Sequence, residues 1–207
     1  MKKTFIAFLA AAAMLGSFQT AAQESKAASA PQQYARVPNK IKPSSSTLFI
    51  DLPFTFDDPF ISEEIPEDMK NWVPSSKRCQ ADREGLTVFI TNVQYSQDYL
   101  RNYITGNEDV AMKNYLQGSM IDRMKEMEGN GQISAFSYRT MEIKPVGNKD
   151  KALLLKGRYR ESPRDFEVWV LQILHKKEMW QVLFFFDPKD VIMQDAVEAA
   201  CFSAVIK

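Results

Sequence analysis

The stretches FEVWVLQIL (residues 166–174) and MWQVLFFF (residues 179–186) decide the fold of this chain. Both are rich in β-branched and aromatic residues, which favour strands. Successive side chains of a strand point to opposite faces, so Val168 and Val170 share one face and Trp169 lies on the other. Both faces are apolar, whereas a sheet with one face in water alternates apolar with polar residues. The pattern therefore predicts two central strands that are covered on both sides.

Short turns place these two strands in a longer run. The sequence predicts four consecutive strands, at residues 133–144, 152–161, 166–175 and 178–187. The turns between them span residues 147–150, 162–164 and 176–177. Strands that are joined by such short turns must be antiparallel neighbours. We therefore expect a four-stranded antiparallel meander at the C-terminal end of the chain.

Two further strands are predicted nearer the N-terminus, at residues 48–51 and 86–95. Residues 75–85 are expected to supply a hairpin partner and a turn for the second of them. Residues 51–68 contain seven carboxylates and no basic residue. This acidic stretch lacks the tight ligand spacing and the glycine of a calcium-binding loop, so we expect a solvated loop.

Apolar residues recur every three or four positions between residues 108 and 128, which predicts the main helix. Thr105 and Glu108 have the spacing of a capping box, and Asn107 is an alternative N-cap. A shorter helical piece is expected around residues 97–104. The apolar stripe of the main helix is expected to face the core, with an adaptable methionine-rich binding groove as the alternative. The stripe contains Met112, Leu116, Met120, Met124 and Met127.

A closing helix is predicted after the last strand. Asp187 can cap it, Pro188 suits its first turn, and Asp190 adds a favourable negative charge there. The tail after this helix is expected to return to an extended conformation. Together these elements predict an α+β fold, in which a central antiparallel sheet of about six strands is covered by helices on both faces as an α/β/α sandwich.

The order of these elements resembles the PsbP-like α/β/α sandwich. The resemblance rests on FIDLPFTF (residues 49–56), LTVFITNV (residues 86–93), the helix at residues 108–128 and the closing FFFDPKDVIMQDAVEAACFSAVI (residues 184–206). A photosystem accessory protein, a Ran-binding import factor and many bacterial exported proteins share that fold, and most members are non-enzymatic. The resemblance implies an accessory or binding role, and it supplies no short motif from which functional residues could be transferred.

The N-terminus has the three parts of a Sec-type signal peptide. Lys2 and Lys3 precede an uncharged apolar run at residues 5–16, and small residues lead to a cleavage site before Gln23. The run is only about 12 residues long, whereas a membrane-spanning helix needs about 20. We therefore expect residues 1–22 to be the signal peptide of a bacterial protein that is released in soluble form into the periplasm or the medium.

The rest of the chain is expected to be a linker followed by one domain. Residues 23–46 contain few large apolar side chains, which predicts a flexible linker, and residues 47–207 then form the domain. No stretch after the signal peptide is apolar enough to span a bilayer. Cleavage removes two of the 26 basic residues and leaves 24 against 26 acidic ones, a net charge of about −2. Such a charge does not indicate a nucleic acid or membrane partner.

The sequence offers little catalytic chemistry. His175 is the only histidine, and it lies beside two lysines near a predicted hairpin turn. There is no phosphate-binding glycine loop and no metal-ligand spacing, so no catalytic, cofactor-binding or metal-binding residue is predicted. Cys79 and Cys201 are the only cysteines. Export would allow a disulfide between them, which we expect, with two buried thiols as the alternative.

Trp72, in the loop NWVP, is the predicted partner contact, because Trp169 and Trp180 lie inside predicted strands and are expected in the core. These observations favour an exported, non-enzymatic accessory or binding protein whose partner is an unknown protein or small molecule. The alternative is an envelope hydrolase that uses a pair of carboxylates. The sequence leaves this alternative open, because its 26 acidic residues allow many such pairs.

Overall fold

The computed structural model describes residues 34–145 and 152–207. Within them the strands are β1 (Val37–Ile41), β2 (Leu48–Leu52), β3 (Ile61–Ser62), β4 (Ser75–Arg83), β5 (Leu86–Gln94), β6 (Ser134–Ile143), β7 (Ala152–Glu161), β8 (Arg164–His175), β9 (Glu178–Phe186) and β10 (Val205–Ile206). The α-helices of the same residues are α1 (Gln97–Tyr99), α2 (Glu108–Leu116), α3 (Asp122–Gly129) and α4 (Val191–Ser203). None of these helices is long and apolar enough to cross a bilayer.

The strands form two antiparallel sheets. The larger sheet has seven strands in the order β3-β4-β5-β9-β8-β7-β6, and the smaller has the order β1-β2-β10. The predicted meander is confirmed as β6 to β9, in which each strand pairs with the next one along the chain. Strand β5 then pairs with β9, so the two stretches that decide the fold lie at the centre of the larger sheet.

Both faces of the larger sheet are buried, as the two apolar faces of β8 and β9 predict. On one face, Trp169 and Phe184 pack in a core that α4 and the smaller sheet complete. On the other face, Val170 and Leu183 pack beneath α2 and α3. Every residue of β9 is buried. The predicted α+β fold is confirmed, with the difference that one face is covered by a small sheet as well as by a helix.

The methionine stripe faces the core. Met112, Met120 and Met124 are buried beneath the second face of the sheet, so the alternative of an exposed binding groove is wrong. The predicted capping box is also wrong, because the N-cap is Asn107 and the carboxylate of Glu108 accepts a hydrogen bond from the Gly106 amide.

The main helix is interrupted in a way that its periodicity does not predict. A π-helical turn, Gln117–Ile121, joins α2 to α3. Ser119 lies in this turn, and its hydroxyl accepts a 2.9 Å hydrogen bond from the buried amide of Gln181 in β9. A π-helical turn inside an α-helix often marks a position with a specific role. In this protein the turn places the hydroxyl of Ser119 over the side-chain amide of Gln181 in the sheet.

The predicted flexible linker at residues 23–46 is wrong for residues 37–41, which form β1 and pair with β2. One core side chain, Ile41, and polar contacts of the buried Asn39 hold this segment in place. The side-chain amide of Asn39 donates to the carbonyl of Phe54, and its oxygen accepts from the Phe56 amide. The predicted signal peptide, its cleavage site and residues 23–33 lie outside the described residues.

We predict that Gly157→Ala destabilises the fold. Gly157 lies in β7, and a Cβ atom there would be 3.1 Å from Cγ1 of Val168 and 3.2 Å from the carbonyl oxygen of Ser137. Overpacking of this kind costs about 1–3 kcal/mol. Gly129→Ala is the matched control, because nothing lies within 4 Å of a Cβ at that position. Urea unfolding is expected to show a lower midpoint for Gly157→Ala alone, and equal midpoints would contradict the packing argument.

Candidate functional site

Trp72, the predicted partner contact, belongs to a group of aromatic rings that reaches the surface. We call Trp72, Tyr95, Tyr99 and Tyr103 the aromatic cluster. The Trp72 ring meets Tyr99 and Tyr103 edge to face, with centroid distances of 6.0 Å and 5.8 Å. Tyr99 in turn lies 5.0 Å from both Tyr95 and Tyr103. Each of the four rings therefore contacts at least one other ring of the cluster.

Local structure explains why these rings meet. Tyr99 and Tyr103 are four residues apart in α1 and the π-helical turn that follows it, Leu100–Ile104, and such spacing places side chains on one side of a helix. The hydroxyl of Ser96 caps α1 by accepting from the Tyr99 amide. The Ser96 amide donates to the carbonyl oxygen of Trp72 at 2.9 Å, so the same residue holds the tryptophan loop against the helix.

The aromatic cluster runs from the core to the surface. Tyr95 is buried, Trp72 and Tyr99 are half-buried, and 47% of Tyr103 is exposed. Each ring packs against another ring of the cluster, unlike the open ring faces of an aromatic cage that binds a cation. Tryptophan and tyrosine offer a large contact area with few rotatable bonds, and they are enriched at the centres of protein interfaces.

A buried carboxylate lies near the inner end of the aromatic cluster. The side chain of Glu63 is 5% exposed, and its Oε2 accepts a hydrogen bond from the Ser76 hydroxyl. Its Oε1 lies 3.7 Å from Nε of Arg78 and has no hydrogen-bond partner among the described residues. Burial raises the pKa of Glu63 above its ordinary value, although the Ser76 hydrogen bond and the charge of Arg78 act to lower it.

Tyrosines connect this carboxylate to the aromatic cluster. Tyr115 of α2 is buried, and its hydroxyl has no hydrogen-bond partner in the described part of the chain. Burial raises the pKa of Tyr115, and the charge of Glu63 raises it further. Burial likewise raises the pKa of Tyr95, with added contributions from Tyr115 and Tyr99. Glu63, Tyr115, Tyr95 and Tyr99 therefore form a series in which each ionisable group interacts electrostatically with the next.

Glu63 lies in the acidic stretch that was expected to be a solvated loop, and for this residue the prediction is wrong. Asp57 and Asp58 of the same stretch pair with Arg83 of β4, at 3.0 Å and 2.6 Å. The four-residue spacing of the tyrosines is visible in the sequence and could have indicated the aromatic cluster. Nothing in the sequence separates Glu63 from the exposed carboxylate of Glu64 beside it.

A second buried carboxylate has a different environment. Glu178 is 1% exposed and accepts hydrogen bonds from four neutral side chains. The donors are Ser44 at 2.9 Å, Ser45 at 3.0 Å, Asn92 at 3.2 Å and Gln94 at 3.3 Å. Burial acts to raise the pKa of Glu178, but the hydrogen bonds outweigh it and the pKa is lowered. Glu178 is therefore held in its ionised form, and it anchors the serine-rich segment that precedes β2.

The predicted disulfide is absent, because Cys79 and Cys201 are both free and buried. Cys201 lies in α4, which packs against β2 and β9, whereas Cys79 lies in β4, two strands away from β9. Strands are about 4.8 Å apart, so this separation exceeds the reach of a disulfide. Burial raises the pKa of both thiols, which makes them unreactive.

Comparisons with known proteins give a likeness of fold at most. No protein-family model matches the chain, and no curated protein matches it. A solved structure from Pseudomonas aeruginosa, described as a regulator of unknown function, is 11% identical with a TM-score of 0.35, and the match covers 80% of this chain and 94% of that one. LpqN of Mycobacterium tuberculosis, described as involved in cell envelope biogenesis, is 12% identical with a TM-score of 0.45, and the match covers 84% and 91%. Neither description names the PsbP-like family, so that resemblance stays a prediction.

We predict that both cysteines are reduced in the folded protein. Alkylation in denaturant without a reductant is expected to add two adducts to each chain, and intact-mass measurement will show the same mass when a reductant is present. A chain that gains adducts only after reduction would show that the two thiols are bonded after all.

We predict that Glu178→Gln destabilises the protein at neutral pH. The substitution places an amide against donors that require an acceptor, and unsatisfied buried groups cost about 1–3 kcal/mol. Because the folded state lowers the pKa of Glu178, its contribution is present above the ordinary glutamate pKa and is lost as the pH falls through the lowered value. Urea unfolding at several pH values will test this, with Glu64→Gln as the control. A loss of stability that is equal in both variants would contradict the anchoring role.

Proposed function

We propose that this chain is an exported, non-enzymatic accessory protein that binds a protein partner through the aromatic cluster. The observation that carries the proposal is the contact between Trp72, Tyr99 and Tyr103 at the surface. Large aromatic side chains that reach solvent without a covering element are typical of interaction surfaces. The signal-peptide features of the first 22 residues support export.

The cluster is suited to binding because it is rigid before a partner arrives. Each ring is fixed by at least one other ring, and the backbone on both sides is joined by the hydrogen bond between Ser96 and Trp72. Ordering a long, flexible side chain at an interface costs about 0.5–1.5 kcal/mol. A side chain that is already held in place avoids most of that cost. A given contact area at this surface therefore yields a higher affinity than the same area made of flexible side chains.

The alternative of a paired-carboxylate hydrolase has less support. Such an enzyme needs two close carboxyl groups, of which at least one has a raised pKa. Among the described residues Glu63 has a raised pKa, but the groups that act on it are the hydroxyl of Ser76 and the guanidinium of Arg78. The pKa of Asp165 is lowered by Arg160, and that of Glu178 is lowered by neutral donors. The described carboxylates therefore favour a binding role over hydrolysis.

Photo-crosslinking tests the proposal. We predict that p-benzoylphenylalanine at position 103 gives a discrete cross-link to one protein in cells, because this ring lies at the exposed end of the aromatic cluster. Position 138 is the matched control, since Tyr138 is also an exposed tyrosine, at 39%, but it lies on β6 and stacks on Phe136. Trp72→Ala in the same background is expected to weaken the cross-link, because truncation of a central aromatic costs about 2 kcal/mol or more.

The outcomes separate the alternatives. The same cross-links from positions 103 and 138 would show that the contact is non-specific. The absence of any protein cross-link at position 103, together with a mass adduct of the purified protein in native mass spectrometry, would indicate a small-molecule ligand and overturn the proposal of a protein partner. Thermal unfolding of Trp72→Ala will show whether the variant is folded.

A further inference from the structure

The segment at residues 57–66, which we call the acidic strap, crosses the outer edge of the larger sheet. Its N-terminal end is held by the ion pairs of Asp57 and Asp58 with Arg83. Its middle is β3, a two-residue strand whose Ile61 is 60% exposed. Phe60 and Ile65, on either side of β3, are half-buried and pack against the two cores, whereas the two residues of β3 are exposed and are held by hydrogen bonds. The next contacts along the strap are those of Glu63.

Glu63 holds the strap to β4 by its backbone and its side chain. Its amide donates to the carbonyl oxygen of Ser76 at 2.9 Å, and its carboxylate accepts from the hydroxyl of the same residue. The other groups that face the carboxyl are Arg78 of β4 and Tyr115 of α2. Arg78 approaches to 3.7 Å without a hydrogen bond, and 28% of its side chain is exposed. Water therefore screens this ion pair and weakens it.

Comparison with Glu178 shows what Glu63 lacks. Glu178 is also hidden from water but accepts four hydrogen bonds, and a carboxylate with several donors is stable in its ionised form. Glu63 accepts one, and its second oxygen accepts none among the described residues. A buried charge with so few partners is costly, and a carboxyl group avoids the cost by taking up a proton or by moving into water.

We propose that Glu63 is a proton-controlled latch for the acidic strap, which stays docked on β4 while the carboxyl is neutral and detaches when the carboxyl ionises. Detachment of residues 61–64 requires the loss of the short β3 pairing and of the contacts with Ser76, whereas Phe60 and Ile65 can stay packed against the two cores on either side. It would expose the carboxyl of Glu63 and the edge of β4 while the central strands remain intact. The latch acts through the fold alone, whichever partner the aromatic cluster binds.

The direction of the pH dependence follows from the pKa of the docked state. Burial raises the pKa of Glu63 above 4.5 when the strap is docked, and exposure returns it to the ordinary value when the strap is open. Docking is therefore fully stable below the ordinary pKa, and stability is lost as the pH rises through the raised value. Above the raised pKa the carboxyl is ionised in both states, so the opening equilibrium no longer changes with pH.

Amide hydrogen exchange tests the latch. The exchange of residues 57–66 should be measured between about pH 4 and pH 8, a range that begins near the ordinary glutamate pKa, and corrected for the intrinsic effect of pH. In the wild type, protection of the strap is expected to fall by up to about tenfold per pH unit and then to level off, since one proton is linked to opening. Amides of β9, which is buried throughout, should keep their protection.

Two variants complete the test. Glu63→Gln is expected to remove the pH dependence and to leave the strap better protected at neutral pH, whereas Glu64→Gln, at the exposed neighbouring carboxylate, should behave like the wild type. Ser76→Ala removes the single donor to the carboxylate and should deepen the loss of protection at high pH. A wild-type strap whose protection does not change with pH, or a Glu63→Gln strap that opens as the wild type does, would overturn the proposal. An unchanged profile in Ser76→Ala would also count against it.

Discussion

The rest of this structure depends on one constraint, which is that the two central strands are apolar on both faces. Strands β8 and β9 carry Trp169 and Phe184 on one side and Val170 and Leu183 on the other. Each such side chain contributes about 1.5–3 kcal/mol when it is buried, so neither face can be left in water. A four-stranded meander cannot cover itself, and the chain must supply a layer on each side. Helices α2 and α3 supply one layer, and α4 with the smaller sheet supplies the other.

Apolar burial selects these layers, but buried polar groups fix how the elements are aligned. Arg78, Thr91, Gln181 and Gln172 stand side by side on four adjacent strands and form one polar row across the sheet. The amide of Gln172 donates to the carbonyl oxygen of Met112, and the amide of Gln181 donates to the hydroxyl of Ser119. These hydrogen bonds stabilise one position of the helix over an otherwise uniform apolar surface. The π-helical turn at Ser119 is the local distortion that permits the second of them.

The sequence predicts features that depend on local periodicity and not those that depend on distant partners. The meander, the burial of both faces of β8 and β9 and the inward-facing stripe that contains Met112 and Met120 are all confirmed. Amino-acid composition does not predict that residues 37–46 are structured, because their structure depends on distant contacts. One such contact joins Ser44 to Glu178, 134 residues away. The distance between the two cysteines also could not be predicted from the sequence, because it depends on which strands α4 covers. The aromatic cluster is predictable in part. The spacing of two of its tyrosines indicates that they share one side of a helix, but only the tertiary structure brings Trp72 into contact with them.

Glu63 and Glu178 show why we assign a response to the surroundings to the edge of the sheet. Glu178 is held by four donors and fastens the N-terminal segment, so a change in its ionisation would cost several hydrogen bonds at once. Glu63 directly follows the two-residue β3 and accepts one hydrogen bond, and its charge acts on Tyr115, which in turn acts on Tyr95 of the aromatic cluster. Regions that open most easily are those with few buried contacts and short elements. Strand β3, two residues long and exposed, is of this kind, whereas the rings that we assign to partner binding are held by their contacts with one another. The stable centre of the sheet therefore positions this surface, and the short elements at its edge supply the groups that can move or make contact.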